Sequence, residues 1–169
     1  VEGFRRDGLA PSNTHHGTAV AAILVSAAGS RAPGLLPGAS LLAADPFHRG
    51  GGNDDRVDIY DLVRAIDFLA TSRPNVINLS LTGPDNQLLR EAVSVATAAG
   101  IAVVAAAGNG GPRAQPAYPA AYDGVIAVTA IDRQLSIYRR AAQGDHIDFA
   151  APGVEVWTAA PRQGLKQTT

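Results

Sequence analysis

The chain has 169 residues, one domain's worth on the usual scale of about 100–200 residues, and 46% are hydrophobic against 17% charged, which excludes a disordered acidic or basic chain. Fourteen Lys and Arg stand against 15 Asp and Glu, for a net charge of −1, so no electrostatic footprint for nucleic acid or an anionic membrane is present. Cysteine is absent, which removes disulfides, zinc–thiolate sites and thiol catalysis.

The chain starts at Val1 and contains no methionine, so a processed product or an excised piece of something longer is expected. No apolar run is long enough for a membrane-spanning helix. Val1–His15 reads as a polar loop. Gly17 to about Ala28 is Ala-rich and apolar on nearly every face, the pattern of a buried helix. Gly29–Ser40 is broken by Gly and Pro and reads as a loop. Leu41–Ala44 is a candidate buried strand, and Phe47–Asp55 a second loop. Asp58 is placed to cap a helix over Ile59–Thr71, with Ile59, Leu62, Val63, Ile66 and Leu69 at helical spacing.

Val76–Leu81 reads as a strand containing Asn78. Gln87–Ala99 is an amphipathic helix with Leu88, Ala92, Val95 and Ala96 on one side and Gly100 at its end. Ile101–Ala107 and Val125–Ile131 are strands too continuously apolar to be half exposed. Asp148–Pro152 leads into a last strand-like stretch at Val154–Thr158. Apolar strands alternating with helices predict an α/β fold with a mostly parallel sheet and helices on both faces.

In such folds chemistry sits at the carboxyl ends of the strands. There the sequence offers Gly108-Asn109-Gly110-Gly111 and Leu81-Thr82-Gly83-Pro84, and a helix start carries His15-His16-Gly17-Thr18. Taken alone, Asn109 reads as a turn residue and His16 as a capping or surface residue. Taken together they stand in five ordered blocks: HHGTAVAAIL (15–24), NVINLSLTGP (75–84), VVAAAGNGGP (103–112), AYPAAYDGVIAVTAID (117–132) and FAAPGVEV (149–156). This order and spacing resemble the subtilisin-like serine proteases, the subtilases of peptidase family S8, from His15 onward.

The resemblance implies a three-layer subtilisin-like fold and a serine endopeptidase. It implies His16 as the general base and Asn109 as the oxyanion donor. It also implies a peptide groove between two walls, Ser80, Leu81, Thr82 and Gly83 on one side and Ala105, Ala106, Ala107 and Gly108 on the other. Many family members carry Gly where Thr82 stands, so a narrower pocket entrance is expected. Arg56-Val57-Asp58 is a candidate second edge strand.

Two parts of the pattern are missing. The family's acid lies in an Asp-Thr/Ser-Gly block well upstream of the His; Asp7 is the sole Asp before His16, in a loop, and too close to it to serve. The nucleophile's Gly-Thr-Ser motif should begin about where the chain stops at Thr169, and none of the serines present stands in such a context. The expectation is therefore a partial catalytic domain over residues 1–169, incomplete at both ends and inactive alone, which either self-associates or is completed by another segment.

A different class of function, a non-catalytic subtilase-like domain that binds extended peptides or serves assembly, stands as the alternative. A nucleotide-binding domain is excluded, because neither Gly50-Gly51-Gly52 nor the Asn109 loop has phosphate-loop spacing. No metal site and no cofactor are expected. Subtilases often bind calcium, but Asn53, Asp54, Asp55, Asp58 and Asp61 do not match an EF-hand and read as a solvated loop with a helix cap. The expected partner is a peptide or protein substrate, with no nucleic acid or membrane. The resemblance implies a secreted or periplasmic location. His48 and His146 read as surface residues, Trp157 as a packing residue, and Tyr118-Pro119 as a permissible cis bond.

Overall fold

Asn13 starts the first helix. Its backbone is extended and its side chain accepts a hydrogen bond from the His15 amide at 2.9 Å, satisfying a donor that a helix N-terminus leaves open. The helix, α1, spans Thr14–Val25. It begins before the expected Gly17 and ends before the expected Ala28, so His15 and His16 lie in its first turn and not in a preceding loop. A returning segment closes its other end. The amides of Gly34, Leu35 and Leu36 donate to the carbonyls of Ser26, Ile23 and Leu24 at 3.0, 2.9 and 2.8 Å. A Cβ at Gly34 would come within 2.5 Å of the Ser26 nitrogen, so only glycine permits this approach.

The structure is a computed structural model that describes residues 1–51, 54–160 and the backbone of 164–168. Two units result: Val1–Asp58 with Glu155–Thr169, and Ile59–Val154. In the first, β1 (Glu2–Gly3) pairs in parallel with β2 (Ala44–Asp45), so the N-terminal stretch is not wholly loop. The strand expected at Leu41–Ala44 is displaced to Ala44–Asp45, and Leu41 and Leu42 are 47% and 44% exposed. β3 (His48–Arg49) pairs antiparallel with β4 (Asp55–Arg56), which takes in only Arg56 of the expected edge segment. Arg6 forms an ion pair with Asp58.

The second unit opens with α2, Ile59–Thr71, at the expected bounds. Leu62, Ala65 and Ile66 are buried on its inner face, together with Asp61. β5 (Val76–Leu79) alternates, with Ile77 and Leu79 buried and Val76 and Asn78 exposed. α3 (Gln87–Ala98) is capped by Asn86, whose side chain accepts from the Leu88 and Leu89 amides at 2.9 and 3.3 Å. Its buried stripe is Leu89, Val93 and Ala96, while Leu88 and Val95 face outward at 48% and 65% exposure. The apolar side expected from the sequence is thus turned by about one residue toward solvent, because the face was read from an incomplete set of apolar positions.

β6 (Ala102–Ala106), β7 (Val125–Ile131) and β8 (Phe149–Pro152) complete a four-stranded sheet in the order β5-β6-β7-β8. Every pairing is parallel, with Leu79 opposite Ala105 and Ala105 opposite Ala127. β6 lies inside the sheet with Val103 and Ala105 buried. α2 packs on α3, and α3 on β6. A parallel sheet with helices joining and covering it is the predicted α/β class.

The chain re-enters the first unit with β9 (Val156–Ala160), antiparallel to β10 (Gly164–Thr168), a strand absent from the sequence reading. β9 packs on α1, and the buried Thr158 hydroxyl donates to the Ala19 carbonyl at 2.8 Å. Trp157 alternates outward and is 57% exposed, so it does not serve the packing role expected of it.

Candidate active site

Three loops leave the carboxyl ends of β5, β6 and β7, where open α/β sheets place their ligands. The first carries Ser80, Leu81, Thr82 and Gly83. Ser80, Leu81 and Gly83 are half-buried and Thr82 is exposed. The Asn78 amide donates to the Ser80 hydroxyl at 2.8 Å. The second loop continues β6. Ala105 and Ala107 are buried at 1% and 0%, so their methyl groups belong to the core, while Ala106 and Gly108 keep partial exposure. Of the four residues expected to form this wall, strand alternation therefore leaves two in reach of solvent.

The structure brings the two walls together. A Cβ built on Gly108 would lie 3.4 Å from the Thr82 methyl and 3.7 Å from the Ala117 Cβ. A methyl group at Gly108 would thus meet both neighbours at ordinary van der Waals contact. Gly108 has a φ of 102°, a backbone region that strongly favours glycine. Its carbonyl accepts from the Ala142 amide at 3.0 Å, and the Ala107 amide donates to the Val128 carbonyl at 2.9 Å. Asn109 follows this pinned stub and is exposed. Its side-chain amide, with two N–H donors, has no hydrogen-bond partner among the described residues.

A bracket that sequence reasoning missed braces the first wall from behind. Gly83 and Tyr118 exchange two backbone hydrogen bonds, at 2.8 and 3.0 Å, and the Tyr118–Pro119 peptide is cis. The Tyr118 and Tyr122 rings lie 4.6 Å apart. The Tyr122 hydroxyl accepts from the Asn86 amide and donates to the Asn86 carbonyl, both at 3.0 Å. The Arg90 guanidinium lies over the Tyr122 ring at 5.5 Å and pairs with Asp85. That pairing holds the Asp85 carboxyl below its ordinary range and raises Arg90. Burial pushes the Tyr122 phenol up. Its sequence signals were the 117–132 block and the Tyr118-Pro119 pair read as a permissible cis bond.

His16 belongs to the other unit, exposed in the first turn of α1. A Cβ on the neighbouring Gly17 would meet nothing within 4 Å. Asp7 lies exposed in a loop of the same unit. His48 and His146 are not plain surface residues, for Nδ1 of the first and Nε2 of the second are buried without a partner among the described residues. Gly52 and Asn53, named in the glycine run and the calcium reading, lie outside the described residues. Among the described residues no group of three or more His, Asp or Glu is placed to hold a metal ion, and no helix is long and apolar enough to cross a membrane.

Comparison with known proteins adds to this geometry. Residues 6–169 match the model of Peptidase_S8, described as the subtilase family. Subtilisin DY of Bacillus licheniformis is 34% identical over 95% of this chain and 57% of its own length. The minor extracellular protease Epr of Bacillus subtilis is 34% identical over 83% of this chain and 22% of its own length. The major intracellular serine protease of the same species is 31% identical over 99% of this chain and 53% of its own. The chain thus spans between about a fifth and three fifths of the length of these relatives. Among solved structures, the prenylagaramide maturation protease PagA superposes with a TM-score of 0.85 at 26% identity, over all of this chain and 61% of that one. The S218A mutant of the PatA protease domain gives 0.85 at 27%, over all of this chain and 66% of that one.

Proposed function

The chain belongs to the subtilase family, and from that premise we propose that the protein to which it contributes hydrolyses peptide bonds as a serine endopeptidase. In this reading His16 takes the proton of a serine nucleophile and later gives it to the leaving amine. Asn109 donates its side-chain amide to the oxyanion of the tetrahedral intermediate. An extended peptide lies between Ser80–Gly83 and the Ala106–Gly108 strand end. Neither the nucleophile nor the acid that orients His16 is among the 169 residues in this reading, so the chain by itself is inactive. In this reading the protein is secreted or periplasmic, which the name of the extracellular relative supports and that of the intracellular relative does not.

The observation that supports the reading best is Asn109 itself: a donor amide unspent in the fold, on a stub fixed by hydrogen bonds on both sides of Gly108. Oxyanion stabilisation draws on a donor amide that is not already spent within the fold, carried on backbone that is held in place. The test is hydrolysis of a quenched peptide by the full-length protein and by its Asn109→Ala variant. The expected loss is about 10²–10³ in kcat with little change in KM, a magnitude taken over from subtilisin itself. An unchanged kcat removes Asn109 from the mechanism, and absence of hydrolysis by the unsubstituted protein removes the enzymatic reading.

A further inference from the structure

Three arginines rim the Asn109 loop. Gly111, Pro112, Arg113 and Ala114 form a turn closed by the Ala114 amide on the Gly111 carbonyl at 3.1 Å. Tyr138, Arg139, Arg140 and Ala141 form a second, closed by the Ala141 amide on the Tyr138 carbonyl at 2.8 Å. The two turns are tied to each other, since the Gly111 amide donates to the Arg140 carbonyl at 2.9 Å. The Ala142 amide, next along, holds the Gly108 carbonyl. All three arginines occupy central positions of these turns, and all three are exposed.

Among the described residues none of the three is engaged in a salt bridge. The acids of the β7–β8 connection do not neutralise them. Asp132 accepts from the Gln134 and Ser136 amides, Asp148 accepts from the Ala127 amide, and Asp145 pairs with none of the arginines. A chain of net charge −1 therefore carries three exposed, unbridged arginines on two turns whose backbones are hydrogen-bonded to each other and to Gly108, the residue before Asn109. Like charges so placed repel one another, and an anion set among them relieves that repulsion. Guanidinium groups suit a carboxylate in particular, because their paired donors match its two oxygens.

We infer that this rim selects substrates with an acidic side chain close to the scissile bond. The inference rests on the placement of Asn109 at the oxyanion site given above. Arg113, Arg139 and Arg140 act on binding and on the rate of encounter, and take no part in proton transfer. Exposed pairs of this kind are individually weak, so a preference of about threefold to tenfold is expected, declining as salt rises.

The experiment compares kcat/KM of the full-length protein on matched peptides carrying Glu, Gln or Lys at each position flanking the cleavage site, at low and high salt. Glu is expected to exceed Gln and Lys at one flanking position. The combined Arg113→Gln, Arg139→Gln, Arg140→Gln variant is expected to bring the Glu/Gln ratio to about one. The combined Arg139→Glu, Arg140→Glu variant is expected to reverse the preference toward Lys, a gain that loss of folding cannot mimic. Equal rates on Glu and Gln, or a preference that survives the triple substitution, would overturn the inference. Fluorescence anisotropy with a labelled Glu-rich peptide separates the two readings. Binding lost in the triple variant upholds the rim even where no hydrolysis is seen, and no binding together with no hydrolysis removes both.

Discussion

In the proposed groove Thr82 faces the space over Gly108. Its methyl stands 3.4 Å from where a Cβ on Gly108 would be, ordinary van der Waals contact between the two proposed walls. Thr82→Gly should therefore raise kcat/KM of the full-length protein on peptides with Leu or Phe before the scissile bond by about tenfold, while Ala peptides change little. A peptide series differing at that one position reads the outcome. The bracket behind this wall makes its own prediction, in pH. Asp85 titrates below its ordinary value because of Arg90, so its contribution to stability is present above about pH 4 and is lost as pH falls through the lowered value. Tyr122 titrates above its ordinary value because it is buried, so its contribution is present below about pH 10 and is lost as pH rises beyond that. Thermal melts across both limbs, with Asp85→Asn flattening the acid limb and Tyr122→Phe the alkaline one, check both signs. Residue identities such as Asn109 and Thr82 were legible in the sequence through their motif. The Tyr122–Asn86 exchange was not, because the phenol hydroxyl binds the backbone amide and carbonyl of Asn86, groups that carry no compositional mark.

At the scale of elements, the closure of α1 is the feature most exposed to a single change. The Gly34–Leu36 return satisfies carbonyls that a helix end leaves open, and it can do so only with no side chain at residue 34. Gly34→Ala is expected to cost roughly 2 kcal/mol, lowering Tm by about 4–8 °C for a chain of this size, measured by calorimetry. α2 and β7 came out at their predicted bounds, since each has an unbroken period and a clear start. α1 began earlier than its apolar run because Asn13 reaches forward to His15, and the cap outweighs the pattern at a helix start. β9 was shifted and β10 was missed, because short paired strands at a surface depend on a partner and not on their own periodicity.

At the scale of the whole molecule, three of the four sheet strands, β5, β6 and β7, and the three helices among the described residues were legible from the alternation of apolar strands and helices, whereas β8, largely exposed at Phe149–Pro152, was not read as a strand. The division into two units was not legible either, since chain segments far apart in sequence compose the first of them. β6 is the strand with a hydrogen-bonded neighbour on each side nearest the candidate site, β5 on one flank and β7 on the other. Its Val103 and Ala105 amides can exchange with deuterium only when a neighbouring pairing opens, so they should be among the slowest in the second unit, measured by amide exchange followed by mass spectrometry. Asn109 is then a cantilever clamped to the beam that yields last. Heat or denaturant that frays β5 and β8 would loosen the flanks of the proposed groove while leaving the backbone that carries Asn109 in place.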